Sequence, residues 1–235
     1  MINVAIIGTG KIGIDLLYKI KKSKVLRCSL FVGRNKLSSG LQIAKRLKVP
    51  TSEKGISGLV DRSDEFQILF DATSAQSHFE NAAKLKNKRK FIIDMTPSSL
   101  GKPIVPSVNL DSIASETNVS MVSCGGQSSI PIASALHSAS KLIDYIEVVS
   151  SIASESAGPA TRRNIDEYIK STESSLSNFT DGCASKVILI LNPATPPIHM
   201  QTTISAKVVN PDIKSICEAV EEKVLKVNKH VPGYE

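Results

Sequence analysis

Cys124 has the neighbours that best suit nucleophilic chemistry in this sequence of 235 residues. The segment V-S-M-V-S-C-G-G-Q-S-S-I-P occupies 119–131. It predicts a strand-like stretch that ends at the cysteine, a bend at the two glycines, and Pro131 in the first turn of a helix. A helix N-terminus favours the thiolate form of a nearby thiol, and glycines expose N–H groups that stabilise an oxyanion. We interpret Cys124 as a nucleophile, with a buried structural thiol as the alternative.

The other three cysteines have ordinary explanations. Cys28 and Cys183 are interpreted as structural, and Cys217 falls on the apolar stripe of a predicted helix. The four cysteines show no C-x-x-C spacing, which argues against a zinc site and against a disulfide scaffold. We therefore predict no metal site.

A glycine-rich loop near the N-terminus has the spacing that holds a dinucleotide. It follows the apolar run Val4–Ile7 and precedes residues at helical spacing. In a G-x-G-x-x-G loop the glycines allow a tight turn, close approach to a pyrophosphate and close packing of helix on strand. The helix N-terminus then offers N–H donors to the phosphates. The predicted cofactor-binding residues of the loop are Gly8, Thr9, Gly10, Lys11, Ile12 and Gly13.

The choice between NAD and NADP stays open at this stage. The second predicted strand ends at V-G-R-N, where an NAD enzyme usually has an acidic residue for the ribose 2′-hydroxyl. Arg34 and Asn35 stand there instead, and an arginine pairs well with a 2′-phosphate. A purely solvent-facing Arg34 is the alternative interpretation.

A nucleophilic cysteine and a nicotinamide cofactor together indicate aldehyde oxidation. A thiolate attacks an aldehyde to give a thiohemiacetal, hydride leaves to the nicotinamide, and the resulting thioester is open to a second nucleophile. This is the chemistry for which the residue types are suited.

Composition and charge exclude several other classes of protein. The chain has 29 Lys and Arg against 22 Asp and Glu, a formal net charge of +7. The basic run Lys84–Lys90 has no interleaved aromatic residues and is interpreted as a solvated helix face, so we predict no nucleic-acid partner. No apolar run reaches the roughly 18 residues that span a bilayer, and the N-terminus lacks a signal-peptide pattern. We expect a cytoplasmic protein without a membrane partner.

The first half of the sequence predicts a doubly wound, Rossmann-type α/β domain over residues 1–123. Continuous apolar strands alternate with amphipathic helices, which is typical of a parallel sheet covered on both faces. Strands are predicted at Val4–Ile7, Leu26–Val32, Gln67–Phe70 and Phe91–Ile93, and helices at Gly13–Lys22 and Leu41–Leu47.

The second half predicts a catalytic and dimerisation α+β domain over residues 124–235. Strands are expected at Tyr145–Ala153, Lys186–Leu191 and Thr202–Val209, and helices at Arg163–Phe179 and 212–228. Without a low-complexity linker between the halves, the two domains are expected to share an interface.

Short segments in the same order along nearly the whole chain resemble the acylating acetaldehyde dehydrogenases. These are NAD- and coenzyme A-dependent enzymes that often partner a 4-hydroxy-2-oxovalerate aldolase. The matching segments are V-A-I-I-G-T-G-K-I-G (4–13), F-D-A-T-S-A (70–75), D-M-T-P (94–97), V-P-S-V-N-L-D (105–111), C-G-G-Q (124–127), I-A-S-E-S-A-G-P-A-T-R (152–162), N-I-D-E (164–167), N-P-A-T-P-P (192–197) and V-P-G-Y (231–234).

The resemblance implies roles for particular residues. Cys124 would carry the acyl thioester, and a small aldehyde, coenzyme A and NAD or NADP would be the reactants. Ser74 and Ala75 would lie beside the nicotinamide. A homodimer and an aldolase partner are also implied. Further cofactor contacts would come from Ser154, Ser156, Ala157, Gly158, Pro159, Thr161 and Arg162 within the segment 154–162.

The sequence departs from the family pattern at several positions. Asn35 replaces the usual ribose-binding Asp, and Thr202 stands where many members have an Asp that could assist proton transfer. His199 is then a substitute base, with a structural role as the alternative. Family members also continue beyond V-P-G-Y, so we expect either a truncated chain or a short version of the enzyme.

Two other functions compete with this interpretation. A phosphorylating semialdehyde dehydrogenase would release its thioester to phosphate and hold a substrate carboxylate with an arginine such as Arg162 or Arg163. A catalytically silent NAD(P)-binding subunit would bind nucleotide without turnover. His78 and His137 are interpreted as core or surface residues. Asp71 and Asp94 end strands at the sheet edge where ligands bind and are either ligand contacts or turn caps, and Asn109 either positions substrate or holds a turn.

Overall fold

The protein, here as a computed structural model, is described over residues 1–235 apart from the side chain of Ala160. The chain divides into two compact units, one of residues 1–102 and 114–121 and one of residues 103–113 and 122–235. The strands are β1 (Ile2–Ile7), β2 (Leu26–Val32), β3 (Thr51–Ser52), β4 (Ile68–Asp71), β5 (Phe91–Asp94), β6 (Lys102–Pro103), β7 (Asn118–Ser120), β8 (Ile143–Ala153), β9 (Ala184–Asn192) and β10 (Gln201–Val208). The helices are α1 (Lys11–Lys22), α2 (Ser39–Arg46), α3 (Ile56–Asp61), α4 (Ala75–Leu85), α5 (Pro106–Asn109), α6 (Cys124–Ala139), α7 (Pro159–Arg163), α8 (Ile165–Phe179) and α9 (Ile213–Asn228).

Across the described residues, the first sheet has seven strands in the order β3-β2-β1-β4-β5-β7-β6. The pairings of β1 with β2 and β4, of β2 with β3, and of β5 with β4 and β7 are all parallel. Chain connections diverge on either side of β1, which is the topology of a doubly wound sheet. The predicted Rossmann-type fold is confirmed.

Strand β1 shows why the sheet needs helices on both faces. Val4 and Ile6 pack into one apolar cluster with Leu17 of α1, and Ala5 and Ile7 pack into another with residues of α3 and α4. All four strand residues are buried, so the run has no polar alternation.

The carboxyl ends of the central strands lie in register at one edge of this sheet. Ile7 is the partner of Val32 on one side and of Asp71 on the other, and Asp71 is the partner of Asp94. Ligands of doubly wound folds bind at this edge, where the strand order reverses. The glycine loop leaves the sheet at that point.

The second unit contains a three-stranded sheet in the order β10-β8-β9 among the described residues. β8 pairs parallel with β9 and antiparallel with β10. Ile146, Val148 and Val187 pack with Ile130 of α6 and Leu176 of α8 to form its core. The mixed α+β architecture is therefore confirmed. None of the helices in the described residues is both long and apolar enough to cross a membrane.

A charged cluster is buried beneath the carboxyl edge of the first sheet. His78, Asp71 and Asp94 have fully buried side chains. His78 Nδ1 lies 2.9 Å from Asp71 Oδ2 and 3.6 Å from Asp94 Oδ1. The same carboxylates accept hydrogen bonds from the backbone N–H groups of Thr73 and Thr96, so the predicted capping role holds as well.

The surroundings of the His78 imidazole favour its protonated form. Burial disfavours the charge, but the hydrogen bond with Asp71 and the charges of Asp94 and Asp71 outweigh it and raise the pKa of His78. Asn118 Nδ2 lies 3.1 Å from His78 Nε2, while Asn118 Oδ1 is buried without a partner. Rotation of this amide places Oδ1 opposite a protonated Nε2 and satisfies both groups.

We expect His78→Gln to lower the free energy of unfolding by about 3–5 kcal/mol at pH 6, because two buried carboxylates lose their cation. A raised pKa means that the native state holds this proton more tightly than the unfolded state does. The stabilisation is therefore complete below about pH 6.5 and is lost as the pH rises through the raised value. Urea unfolding at pH 6 and pH 8 measures both effects. His137→Gln, which removes an exposed pair with Asp181, is the control and should change the free energy by at most about 1 kcal/mol; equal losses in the two variants would contradict the expectation.

Candidate active site

Cys124 is the first residue of α6, and this corrects the expected local structure. Strand β7 ends at Ser120 rather than at the cysteine, and Pro131 lies inside the helix rather than in its first turn. Ser123 is the N-cap: its Oγ accepts the Gly126 N–H at 2.9 Å. The two glycines therefore belong to the first helical turn, because a capping serine begins the helix earlier than the proline does.

The turn into α6 is sterically strained. Val122 has φ +60°, a conformation that β-branched residues rarely adopt, and its side chain is 2% exposed. A Cβ built on Gly126 would lie 2.6 Å from Val122 Cγ1, so the close approach of the turn requires glycine in the helix. Strain of this kind persists only where the surrounding structure enforces it, and here it lies two residues before the cysteine.

The thiol of Cys124 is surrounded by donors. The residue as a whole is exposed, yet burial of the sulfur raises the pKa of the thiol. The N–H of Gly125, the hydroxyl of Tyr168 and the cysteine's own N–H act in the opposite direction and lower the pKa. These donors oppose the effect of burial without cancelling it, and the N-terminus of the helix also favours negative charge on the sulfur.

Tyr168 of α8 lies against this turn. A Cβ on Gly125 would lie 1.9 Å from the Tyr168 hydroxyl oxygen and 3.1 Å from Ser150 Oγ, so this position admits only glycine. Thr172, one helical turn further along α8, hydrogen bonds to Ser123 Oγ at 2.7 Å. Helix α8 thus supports both the capping residue and the thiol.

Thr202, at the position where an acidic residue could assist proton transfer, has a hydroxyl that cannot act as an acid or base near neutral pH. Its Oγ1 lies 2.8 Å from Ser128 Oγ and 3.4 Å from Ser150 Oγ. His199, considered as a substitute base, is exposed in the segment between β9 and β10. Sequence reasoning did not single out Tyr168, Ser150 or Ser128, although the spacing of Tyr168 and Thr172 on one helix face was readable.

The glycine loop in the first unit has the geometry of a phosphate cradle. Gly8 has φ +114°, and a Cβ there would lie 2.3 Å from the carbonyl oxygen of Ala72. A Cβ on Gly13 would lie 1.9 Å from the Gly8 carbonyl oxygen, so α1 packs directly on the loop. A Cβ on Gly10 would meet nothing within 4 Å, which leaves open space before the N-terminus of α1. These residues fit a dinucleotide pyrophosphate.

The other predicted contacts in the first unit lie at the same edge of the sheet. Arg34 and Asn35 are exposed just after β2, and Asn35 Oδ1 accepts the Leu37 N–H at 2.9 Å. Ser74 is the N-cap of α4, accepting the Ser77 N–H at 3.3 Å, and Ala75 is buried as the first residue of that helix.

The segment 154–162 in the second unit forms a loop held together by its own arginine. Arg162 donates to the carbonyl oxygen of Ala157 at 3.0 Å and to the carbonyl and hydroxyl oxygens of Ser154. Ser156 donates to the Ala153 carbonyl at 2.7 Å. Ala157 is buried, Ser154, Gly158 and Thr161 are partly buried, Pro159 is exposed at the start of α7, and the side chain of Ala160 lies outside the described residues. The loop borders a hollow of about 260 Å³ that Asn192, Pro193, Ala194 and Thr195 also line.

Other candidate positions prove structural. Asn109 accepts the Val105 N–H and donates to the Pro103 carbonyl, so it holds a turn.

A groove of about 640 Å³ lies at the opposite edge of the first sheet, near Asn3, Arg27 and Lys48, away from the edge where such folds bind ligands. Among the described residues, no group of three or more His, Cys, Asp and Glu side chains could hold a metal ion.

Comparison of the geometry with solved structures supports the fold. An NAD complex of GenD2 from gentamicin A biosynthesis superposes with a TM-score of 0.59 at 13% identity, covering 89% of this chain and 70% of that chain. Aspartate semialdehyde dehydrogenase II from Vibrio cholerae gives 0.62 at 15% identity, covering 95% and 78%.

Sequence comparisons are more specific. Residues 124–235 match the family model described as prokaryotic acetaldehyde dehydrogenase, dimerisation. The acetaldehyde dehydrogenase of Pectobacterium atrosepticum is 50% identical, over 100% of this chain and 80% of that protein. The enzyme of the same name from Spirochaeta aurantia is 46% identical, over 100% of this chain and 79% of that protein. The chain therefore belongs to the acetaldehyde dehydrogenase family.

Proposed function

We propose that the protein oxidises a short aldehyde, with acetaldehyde as the expected substrate, and transfers the acyl group to coenzyme A. One observation carries the proposal: Cys124 is exposed at the N-terminus of α6, with N–H and hydroxyl donors around its sulfur. The names of the relatives in the family support the aldehyde substrate.

The reaction runs through the sulfur of Cys124. The thiolate attacks the aldehyde carbon, and the N–H groups in the first turn of α6 are placed to stabilise the developing oxyanion. The bound nicotinamide supplies the hydride acceptor. Loss of hydride from the tetrahedral carbon leaves an acyl thioester on the cysteine, and the thiol of coenzyme A displaces Cys124 as thiolate while its own proton goes to solvent. Balanced, aldehyde, coenzyme A and NAD(P)⁺ give acyl-coenzyme A, NAD(P)H and one proton.

The cofactor is proposed to bind at the carboxyl edge of the first sheet. Gly8–Gly13 would hold the pyrophosphate, Arg34 and Asn35 the adenosine ribose, and Ser74 with Ala75 the nicotinamide side. Residues of the segment 154–162 are proposed as further contacts. Because Arg34 is exposed beside the ribose position, we propose that NADP is accepted as well as NAD.

The second unit is proposed to form a homodimer. Its matching family model describes dimerisation, and apolar side chains lie open on it: Ile188 is 39% exposed, Ile190 45% and Leu225 67%. An aldolase partner and a cytoplasmic location complete the proposal and rest on family resemblance.

Cys124→Ala is expected to lower turnover of aldehyde with coenzyme A by at least about 10³-fold, because no thioester can form. NAD(P)H absorbance measures the rate, and Cys217→Ala, which removes the other exposed cysteine, is the matched control that should keep it. Replacing coenzyme A by phosphate tests the acceptor. Acyl phosphate formed without coenzyme A would instead identify a phosphorylating semialdehyde dehydrogenase, and nucleotide binding without turnover in the unaltered chain would identify a silent subunit.

Arg34→Gln is expected to raise KM for NADP by about 10–100-fold and to leave KM for NAD nearly unchanged, since a hydrogen-bonded charge pair contributes about 1.5–3 kcal/mol. Initial rates at varied concentrations of each cofactor measure the two constants. Lys36→Gln, an exposed neighbour, controls for the loss of one positive charge. Equal effects of the two substitutions would show that Arg34 does not contact the 2′-phosphate.

The value of kcat/KM is expected to rise with pH beyond the ordinary thiol range near 8.5, because burial raises the pKa of Cys124 and the thiolate is the reactive form. Below that pKa, each unit of pH should change the rate about tenfold. Profiles from pH 6 to 10 measure this dependence. His199→Gln should leave the profile unchanged; a profile that differs in that variant would make His199 a base.

A further inference from the structure

Tyr168 carries a polar atom that the fold leaves unsatisfied. The residue is 4% exposed, and its hydroxyl is buried without a hydrogen-bond partner among the described residues. A buried hydroxyl without a partner is destabilising, so such groups are rare in native proteins and call for an explanation. Replacement by phenylalanine would fill the same space without that penalty.

The position of this hydroxyl is fixed by its surroundings. Thr172 Oγ1 donates to the Tyr168 carbonyl at 2.6 Å, and the ring packs in the core of the second unit. The hydroxyl oxygen approaches Gly125 so closely that no side chain fits there. It faces the Cys124 thiol, whose pKa it lowers, and Ser150 lies beside the same point.

The neighbours of this hydroxyl donate and accept hydrogen bonds but do not ionise near neutral pH. Ser150 Oγ lies 3.4 Å from Thr202 Oγ1, which lies 2.8 Å from Ser128 Oγ. Ser128 in turn donates to the Gly125 carbonyl at 2.9 Å, which returns the network to the turn that holds the cysteine. This network of hydroxyls can hold the Tyr168 hydroxyl towards a charged sulfur without adding a second negative charge.

We propose that Tyr168 stabilises the Cys124 thiolate, its hydroxyl donating to Sγ once the thiol has lost its proton. The proposal rests on the role of Cys124 in the proposed function. A neutral thiol is only a weak acceptor, so the hydroxyl gains a strong acceptor at this point once the thiol has ionised. A thiolate is a charged acceptor, and hydrogen bonds to charged groups are about twice as strong as neutral ones.

Tyr168 acts as a donor and keeps its own proton. Burial, followed by the charge of Cys124, raises the pKa of the phenol above its ordinary value, so the O–H bond persists over the working pH range. In the activating step the S–H bond of Cys124 breaks and the proton passes to water or hydroxide. The phenol O–H then points at sulfur, and the tyrosine gains no charge.

The test measures the pKa of Cys124 without substrate or cofactor. Alkylation by iodoacetamide is followed from pH 6 to 10 in a Cys217→Ser background, with Cys124→Ala subtracted. Tyr168→Phe is expected to raise the thiol pKa by about one unit, so that alkylation at pH 7.5 slows about tenfold. Thermal unfolding should show a Tm that is unchanged or higher, because an unsatisfied hydroxyl has been removed. Tyr145→Phe, at a surface tyrosine of β8, is the matched control and should change neither quantity.

A second measurement needs no Tyr168 variant. Hydrogen-bond donation from a tyrosine shifts its near-ultraviolet absorbance, so the protein should show a tyrosine difference spectrum that follows thiolate formation. Cys124→Ala should lack it. An unchanged alkylation pKa in Tyr168→Phe, or a difference spectrum that persists in Cys124→Ala, overturns the inference. Turnover that survives Cys124→Ala overturns the proposed function instead, and because alkylation is measured without turnover the two failures are distinguishable.

Discussion

The capping of α6 by Ser123 is the interaction on which the proposed chemistry of Cys124 depends. It begins the helix at Cys124, and so it places the sulfur where N–H groups and the helix dipole converge. The left-handed backbone at Val122 is the steric consequence, since the chain must turn sharply between the end of β7 and the cap. Gly125 and Gly126 are not a flexible bend. The missing side chain of Gly125 leaves room for the Tyr168 hydroxyl, and that of Gly126 leaves room for the Val122 side chain. The same helix packs on α8, so the cap, the thiol and the tyrosine share one rigid support.

In the first unit, the predicted cofactor site is formed mainly by backbone rather than by side chains. Its parallel strands end in register. Gly8 and Gly13 allow the loop to pack so closely against Ala72 and against α1 that a side chain at either position would not fit. Beneath that edge, His78 lies within 2.9 Å of Asp71 and 3.6 Å of Asp94, while both carboxylates cap the turns after their strands. A buried network of this kind fixes the turns from which Ser74 and Ala75 extend. Its polar groups hold these turns in place, which is consistent with the core and capping roles considered for them from the sequence.

Most of the fold could be predicted from the sequence because it depends on local patterns. Continuous apolar strands, helical periodicity and a glycine loop straight after the first strand are all short-range signals, and the elements they predict are present. The predicted start of α6 was wrong because proline was given more weight than serine. Pro131 is tolerated inside the helix, while Ser123 accepts the hydrogen bond that begins it. The hydroxyl network was missed for a different reason. Tyr168, Ser150 and Thr202 lie on separate elements, and only tertiary packing brings them beside Cys124.

In the proposed mechanism, a hydroxyl rather than a carboxylate at position 202 has two opposite consequences for the thiolate. A carboxylate at position 202 would offer a base, but its negative charge would oppose formation of a thiolate nearby and raise the thiol pKa. Thr202 removes that repulsion together with the base, and leaves a network whose members only share hydrogen bonds. Under the proposed function, the groups that favour the thiolate are donors: the N–H groups of the first turn and the phenol of Tyr168. Burial raises the pKa of that thiol, and this is the effect that the donors oppose.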